Sequence, residues 1–111
     1  MSQYFPDKWV VVKISGSDTP PIHKVFASWY GGYAGSDSWK LNSGITRAML
    51  DGTVYSFDGS SGSIYYCNRE SYGLSSYGNS VLSRMINNAA ENNVLIEILP
   101  EETNWLEIHY E

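Results

Sequence analysis

The chain is 111 residues long and carries a formal net charge of -5 at pH 7, which predicts one acidic domain covering residues 1–111. Its single cysteine excludes an internal disulfide, and no run approaches the roughly 18 apolar residues of a transmembrane helix. The negative charge disfavours direct binding to nucleic-acid phosphates and to acidic membrane surfaces.

Short strands separated by turns are predicted for the amino-terminal half. Runs rich in β-branched and aromatic residues are typical of strands when glycine or proline bounds them. Three such runs occur before residue 47: Lys8–Ile14, His23–Tyr30 and Trp39–Thr46. Gly31 and Gly32 end the second run, and Gly44 interrupts the third.

Two hairpin turns are predicted in the middle of the chain. Asp51-Gly52 lies between two strand-like runs and supplies the positive φ angles that a type I′ turn requires. The run Asp58–Gly62 is a second turn, because it is rich in glycine and serine. Thr53–Phe57 and Ser63–Asn68 are therefore expected to be strands of an antiparallel meander.

One helix is predicted in the carboxyl-terminal half, at about residues 80–92. Its apolar residues recur with helical spacing and form one stripe: Val81, Leu82, Met85, Ile86 and Ala89. Asn79 or Ser80 can cap its start, and Asn92-Asn93 can end it through a left-handed residue.

Two more strands are expected after the helix. Val94–Leu99 is apolar at five of six positions, which predicts a central strand. Trp105–Tyr110 alternates between apolar and polar residues, which predicts a last strand with Leu106, Ile108 and Tyr110 facing the core. Six or seven short strands and one helix predict an α+β fold that is mainly antiparallel. A small SH3-like or Sm-like, partly open barrel with the helix at one end would leave no long sheet edge.

The sequence contains no catalytic constellation. A nucleophilic serine or cysteine needs a general base beside it, and the only histidines are His23 and His109. Ser63 ends a run that superficially resembles the Gly-Asp-Ser-Gly run of trypsin-like serine proteases, but the chain is roughly half the length of that fold. Cys67 lies inside a predicted strand, which favours a packing role. We expect no enzyme; a small hydrolase using Ser63 or Cys67 is the disfavoured alternative.

No metal or cofactor site is predicted. Calcium needs several oxygen ligands, and the spacing of Asp37, Asp51 and Asp58 does not require them to converge. One cysteine and two distant histidines do not supply a tetrahedral zinc set. Gly31-Gly32 is followed by no Lys-Ser or Lys-Thr pair, so no phosphate-cradling loop is expected.

Acidic residues concentrate near the carboxyl terminus. Five of the twelve occur in the last fifteen positions: Glu97, Glu101, Glu102, Glu107 and Glu111. A solvated acidic surface that promotes solubility is favoured over mimicry of a nucleic acid, because mimicry needs denser charge.

The aromatic residues around Gly31-Gly32 are the candidate binding site. Aromatic side chains beside a loop of small residues suit contact with a protein or a carbohydrate. The candidates lie between the second strand and the third: Trp29, Tyr30, Tyr33, Asp37 and Trp39. The alternative is that both tryptophans belong to the core and that the tyrosines only cover it.

Several phrases resemble those of small uncharacterised proteins of marine cyanophages and ocean metagenomes. They are Val25–Tyr33, Asp37–Ile45 and Gly62–Cys67, within a similar region that spans about Val25 to Leu82. The resemblance implies a phage-encoded protein located in the cytoplasm of a bacterial host or in the virion. It implies no activity, because that group has no assigned function.

The leading hypothesis is a small non-enzymatic protein-binding module that acts on a host or virion protein and can form homo-oligomers. It follows from the aromatic residues, the acidic charge and the lack of a catalytic constellation. The alternative is a structural virion component or assembly factor.

Overall fold

A computed structural model describes residues 2–31 and 35–110. These residues form eight strands, one 3₁₀ turn and one α-helix, in this order: β1 (Gln3–Tyr4), β2 (Lys8–Ser15), β3 (Ile22–Trp29), β4 (Ser38–Leu41), β5 (Ile45–Asp51), β6 (Val54–Gly59), β7 (Ile64–Asn68), the 3₁₀ turn (Arg69–Ser71), α1 (Ser76–Glu91) and β8 (Leu95–Ile98). The first sheet has the strand order β1-β7-β6-β5, and the second sheet has the order β4-β3-β2-β8. All neighbouring strands are antiparallel except β1 and β7.

Strand β2 lies at the centre of the packing because both of its faces are buried. Trp9 and Val11 point into a core shared with the first sheet. Val10 and Val12 point to the opposite face, where they pack against α1. The layers are therefore α1, the second sheet and the first sheet, in that order.

The chain passes from one sheet to the other between β4 and β5. Asn42, directly after β4, donates its backbone N–H to the Val25 carbonyl at 3.0 Å. Its side-chain Oδ1 accepts the Val25 N–H at 2.8 Å. Gly44 then adopts a φ of +137°, a region that glycine tolerates best. The single interrupted strand predicted for Trp39–Thr46 is thus two strands in different sheets.

This crossing changes the predicted architecture. The α+β class, the mainly antiparallel pairing and the helix are confirmed. A closed barrel is not formed, because the strands of the described residues divide into two separate sheets. The SH3-like or Sm-like assignment is therefore not confirmed. The helix covers one face of the second sheet instead of lying at one end of a barrel.

The helix begins earlier than its apolar stripe predicts. It spans Ser76–Glu91, and its N-cap is Ser75, whose Oγ accepts the Gly78 N–H at 3.0 Å. Asn79 and Ser80, the predicted caps, lie inside the first turns. Gly78 is buried against Phe26, so the first turn also packs on the sheet. Asn93 adopts the predicted left-handed conformation just after the helix, with a φ of 61°.

Both predicted hairpins are confirmed, with a different turn in the first one. Asp51 pairs with Val54, so the turn residues are Gly52 and Thr53. Gly52 has a φ of +64°, whereas Asn93 is the one non-glycine residue in the described ranges with a positive φ. A positive φ at the first turn residue alone is typical of type II′ rather than the predicted type I′.

Two predictions for the carboxyl-terminal region are wrong. Strand β8 lies at the edge of the second sheet, paired with β2, and is not central. Trp105–Tyr110 contains turns instead of a strand. Asn104 explains this, because its Oδ1 accepts the Leu106 N–H at 3.1 Å and its carbonyl accepts the Glu107 N–H at 3.1 Å. Leu106 is consequently exposed.

Replacing Asn42 should measure the importance of the crossing. We expect Asn42→Ala to lower the free energy of unfolding by about 1–3 kcal/mol, because the buried Val25 N–H loses its partner. Urea denaturation would measure this. Asn87→Ala, at an exposed position of α1, is the control and should stay within about 0.5 kcal/mol of the parent. Equal effects of the two substitutions would contradict the role of Asn42.

Candidate functional site

The structure separates the two tryptophans of the predicted binding loop. In the β3–β4 pair, Trp29 lies opposite Ser38 and Trp39 lies opposite Ser28. Cross-strand partners share a face of the sheet, and successive residues alternate between faces. Trp29 and Trp39 therefore lie on opposite faces of the second sheet and do not form one surface.

Each tryptophan has its own environment. Trp29 packs against the core between the sheets, and its indole N–H donates to the Phe5 carbonyl at 3.0 Å. Trp39 is 41% exposed and stacks on the buried Phe26, with ring centroids 5.6 Å apart. Trp29 thus matches the core alternative, whereas Trp39 is a partly exposed cover of the face that carries α1.

Two other members of the predicted site lie next to these strands, Tyr30 directly after β3 and Asp37 directly before β4. Tyr30 is 55% exposed, and its backbone N–H donates to Asp7 Oδ2 at 2.9 Å. Asp37 Oδ1 accepts the Gly31 N–H at 2.9 Å, so this carboxylate has a backbone partner at the end of β3. Tyr33 lies outside the described residues. A binding role for Tyr30 and Tyr33 stays a prediction.

A concave surface lies elsewhere, between the tip of the β5–β6 hairpin and the carboxyl-terminal segment. This end cleft has a volume of about 690 Å³. Aromatic side chains form its floor: Trp9, Tyr55, Tyr72 and Trp105. Apolar and charged side chains form its rim: Leu50, Arg69, Glu70, Glu101, Glu102 and Leu106.

The floor of the end cleft is a packed aromatic cluster. The rings of Trp9 and Tyr72 meet edge-to-face with centroids 4.7 Å apart, and Trp105 stacks on Tyr72 at 5.5 Å. The indole N–H of Trp9 donates to the Asn68 carbonyl at 2.7 Å. Trp9 and Trp105 are almost completely buried, whereas Tyr55 and Tyr72 are half-buried. These contacts hold the floor in one conformation, with the two tyrosines nearest to solvent.

The Tyr72 hydroxyl connects the floor to the second sheet. It accepts the Val11 N–H at 3.2 Å and donates to the Leu99 carbonyl at 2.6 Å. The hydroxyl therefore lies between the Val11 N–H and the Leu99 carbonyl, at the end of the pairing between β2 and β8. Burial raises the pKa of Tyr72 to about 12, and the negative charge of Glu101 adds to this rise.

Charge on the rim is mainly negative. Glu70, Glu101 and Glu102 are exposed there, and Arg69 supplies a single positive charge. Three carboxylates and one guanidinium leave a local charge of about -2 above an aromatic floor, at pH values where all four groups are ionised. Such a surface attracts cations both through the carboxylates and through the faces of aromatic rings.

A second, smaller cavity of about 190 Å³ lies near His23 and several hydroxyl groups. The His23 ring meets Tyr110 edge-to-face at 5.5 Å, and burial together with the charge of Lys13 lowers the pKa of His23. Ser43 Oγ bonds to Ser61 Oγ at 3.1 Å. Across residues 2–31 and 35–110, no serine forms a hydrogen bond with a histidine.

The two residues of the disfavoured hydrolase alternative have structural contacts. The Ser63 carbonyl accepts the Gly59 N–H at 2.8 Å within the β6–β7 turn. Cys67 is completely buried in the core, and burial raises the pKa of its thiol well above the usual range. A buried neutral thiol is a poor nucleophile.

The part of the chain that the structure describes offers neither a metal-binding cluster nor a membrane-crossing helix. It contains no group of three or more His, Cys, Asp or Glu side chains arranged to hold a metal ion. None of its helices is both long and apolar enough to cross a membrane.

Comparison of the chain with protein-family models, with curated proteins and with solved structures finds no match in any of the three.

The end cleft was not anticipated from the sequence. Trp9 and Tyr72 are far apart in the chain, and no spacing rule connects them. The alternation that follows Trp105 predicts a strand there, and a strand would not bring its ring to Tyr72. The acidic pair Glu101-Glu102 next to Pro100 was the one local signal, and it is equally typical of an ordinary solvated turn.

Thiol labelling tests the burial of Cys67. We expect the native protein to react with 5,5′-dithiobis(2-nitrobenzoate) only as fast as it unfolds, and to react at once in concentrated guanidinium chloride. The absorbance of the released thiolate measures the reaction. Rapid labelling of the native protein would contradict the burial of this thiol and would reopen the cysteine hydrolase alternative.

Alkaline pH should destabilise the fold. Burial raises the pKa values of Tyr65 and Tyr72 from 10.0 to about 12. The folded chain therefore retains these protons at pH values where the unfolded chain loses them. Their stabilising contribution is complete below pH 10 and is lost as the pH rises toward 12. We expect the urea midpoint to fall over this range and to fall less steeply in Tyr72→Phe; a constant midpoint would contradict the burial of both phenols.

Proposed function

We propose that the chain is a small non-enzymatic binding module whose end cleft receives a short basic segment of a partner protein. The observation that carries the proposal is the combination of an aromatic floor with a rim of three glutamates. Catalysis is not part of the proposal, because neither Ser63 nor Cys67 has the contacts of an activated nucleophile.

The floor favours apolar and aromatic contacts. Leu50 and Leu106 line the cleft and are exposed, and Tyr55 and Tyr72 line it and are half-buried. Because ring packing and hydrogen bonds already fix Trp9 and Tyr72, binding would order few additional side chains. A preformed floor of this kind lowers the entropic cost of association.

The rim favours lysine and arginine in the bound segment. Glu101 lies close enough to Tyr72 to affect its ionisation, so the negative charge reaches the floor. A cationic side chain could contact a carboxylate and an aromatic ring in the same cleft. The net charge of -5 would also speed the approach of a basic partner.

The resemblance to cyanophage proteins would place this partner in the bacterial host or in the virion. The structural alternative, a virion component or assembly factor, predicts stable high-order assemblies. Light scattering distinguishes the two functions, because a binding module remains small until its partner is added.

Charge substitution on the rim tests the proposed function. The probes are short synthetic peptides that alternate lysine or arginine with leucine or tyrosine, and acidic peptides of the same design. Tryptophan fluorescence would report binding, because Trp9 and Trp105 form the floor. We expect basic peptides alone to bind, and Glu101→Gln/Glu102→Gln to weaken them about 2- to 30-fold, from roughly 0.2–1 kcal/mol for each exposed charge pair.

The control variant is Asp18→Asn/Glu91→Gln. It changes the net charge by the same amount at exposed positions that do not line the end cleft. Its affinity for the basic peptides should match that of the parent chain. Equal weakening in both variants, or no binding of any basic peptide, would contradict the proposed site.

A further inference from the structure

We infer that β8 is the docking edge for a second copy of this chain, which pairs antiparallel through its own β8. The two second sheets would then form one continuous sheet with the order β4-β3-β2-β8-β8-β2-β3-β4. The proposed interface is separate from the end cleft, since Leu95–Ile98 does not line the cleft.

Strand β8 has hydrogen-bonding groups that no described strand satisfies. It pairs with β2 on one side and has no described neighbour on the other. The Leu99 N–H donates to the Val11 carbonyl at 3.0 Å, so the backbone groups of Leu99 face β2. Backbone groups alternate in direction along an antiparallel strand. Those of Ile96 and Ile98 therefore point outward, away from the sheet.

The side chains of β8 are also unusual for an edge. Leu95 is 54% exposed and Ile98 is 42% exposed. Natural edge strands are generally protected by very short length, charged residues, proline or a bulge; β8 is four residues long. Strand β8 contains one charge, Glu97, which lies opposite Lys13 of β2, and its register with β2 is regular over all four residues. An apolar, regular edge of this kind favours pairing with another strand.

A second copy fits this edge because β8 is complementary to itself. Place a two-fold axis at Ile96, so that this residue lies opposite Ile96 of the partner subunit. Ile98 then donates to the carbonyl of the partner's Val94, and the reverse bond forms by symmetry. Val94 is suited to this role, because its own N–H already donates to the Ala89 carbonyl at 2.9 Å while only its carbonyl is needed.

The charges favour this register over the one centred on Glu97. With the axis at Ile96, Glu97 lies opposite Leu95 of the partner subunit in a close, non-hydrogen-bonded pair. Moving the axis to Glu97 would place two carboxylates directly opposite each other, which is unfavourable. The axis at Ile96 therefore gives four interchain backbone hydrogen bonds, two between the paired Ile96 residues and two from Ile98 to Val94. No like charges lie opposite each other in this register.

Opposite charges at position 95 test this arrangement. Leu95 is exposed, so both substitutions should be tolerated by the fold. Leu95→Glu sets a second carboxylate against the partner's Glu97 and should weaken dimerisation at least about tenfold. Leu95→Lys sets an ammonium there and should dimerise at least as tightly as the parent. Sedimentation equilibrium would measure both, with the parent expected at twice the 12.4 kDa of one chain.

Two results would overturn the inference from these variants. One is a parent chain that stays monomeric up to millimolar concentration. The other is equal dimerisation of Leu95→Glu and Leu95→Lys, since a contact elsewhere on the surface would not distinguish the two charges.

A measurement on the unaltered chain does not depend on either variant folding. Amide hydrogen exchange followed by NMR should show Ile96 and Ile98 becoming protected as the protein concentration rises, because their N–H groups form the interchain bonds. Val94 should be protected at every concentration, through its bond to Ala89. Rapid exchange of Ile96 and Ile98 in a sample that sedimentation shows to be dimeric would place the dimer contact elsewhere and overturn the inference.

Discussion

The burial of β2 on both faces is the constraint on which the rest of the structure depends. Trp9, Val10, Val11 and Val12 are each at most 2% exposed, although they point alternately to opposite sides. A strand of this composition requires an apolar layer on each side of its sheet. Helix α1 supplies one layer and the first sheet supplies the other. Because the chain changes sheet at Asn42–Gly44, the strands β5, β6 and β7 that follow can form the first sheet, which is the second of these layers.

The end cleft follows from how Trp9 is covered. Its ring contacts Tyr55 and Phe57 of the first sheet, and Tyr72 and Trp105 cover it from outside the strands. Tyr72 can reach this place because its hydroxyl satisfies Val11 and Leu99 together. Trp105 remains there because Tyr110 donates its hydroxyl to the Trp105 carbonyl at 2.7 Å. The end cleft is thus the outer surface of a part of the core that is covered by irregular segments instead of strands.

Much of the regular structure could be predicted from local patterns. One face of the second sheet carries Val10, Val12 and Phe26, and the other carries Trp9, Val11 and Val25, as the strand period requires. The apolar stripe predicts α1 correctly, although the helix begins earlier than the stripe does. These patterns report burial, which is a local property of each face. The apolar composition of Val94–Leu99 also reported a tendency to be buried, but composition does not specify how many strands lie beside it. The edge position of β8 follows from the strand order of the second sheet, in which β8 pairs only with β2.

The features that local patterns do not predict depend on hydrogen bonds, strand register and contacts between distant segments. Alternation within Trp105–Tyr110 was outweighed by two hydrogen bonds of Asn104, a competition that no periodicity shows. Trp29 and Trp39 are close in sequence, yet the β3–β4 register places them on opposite faces. The ring cluster of Trp9, Tyr72 and Trp105 exists only after both sheets are assembled, so its cleft has no sequence signature.

The two proposed surfaces have a physical connection at Leu99. Its carbonyl accepts the Tyr72 hydroxyl from the cleft floor, and its N–H continues the β2–β8 ladder into Val11. The groups proposed for pairing belong to Ile96 and Ile98 and point the other way, so a bound segment in the cleft would not compete with a second copy at the edge. A dimer would then carry two end clefts on one rigid sheet. For a partner with repeated basic segments, the second cleft would bind at a raised effective concentration, which strengthens capture without any new contact.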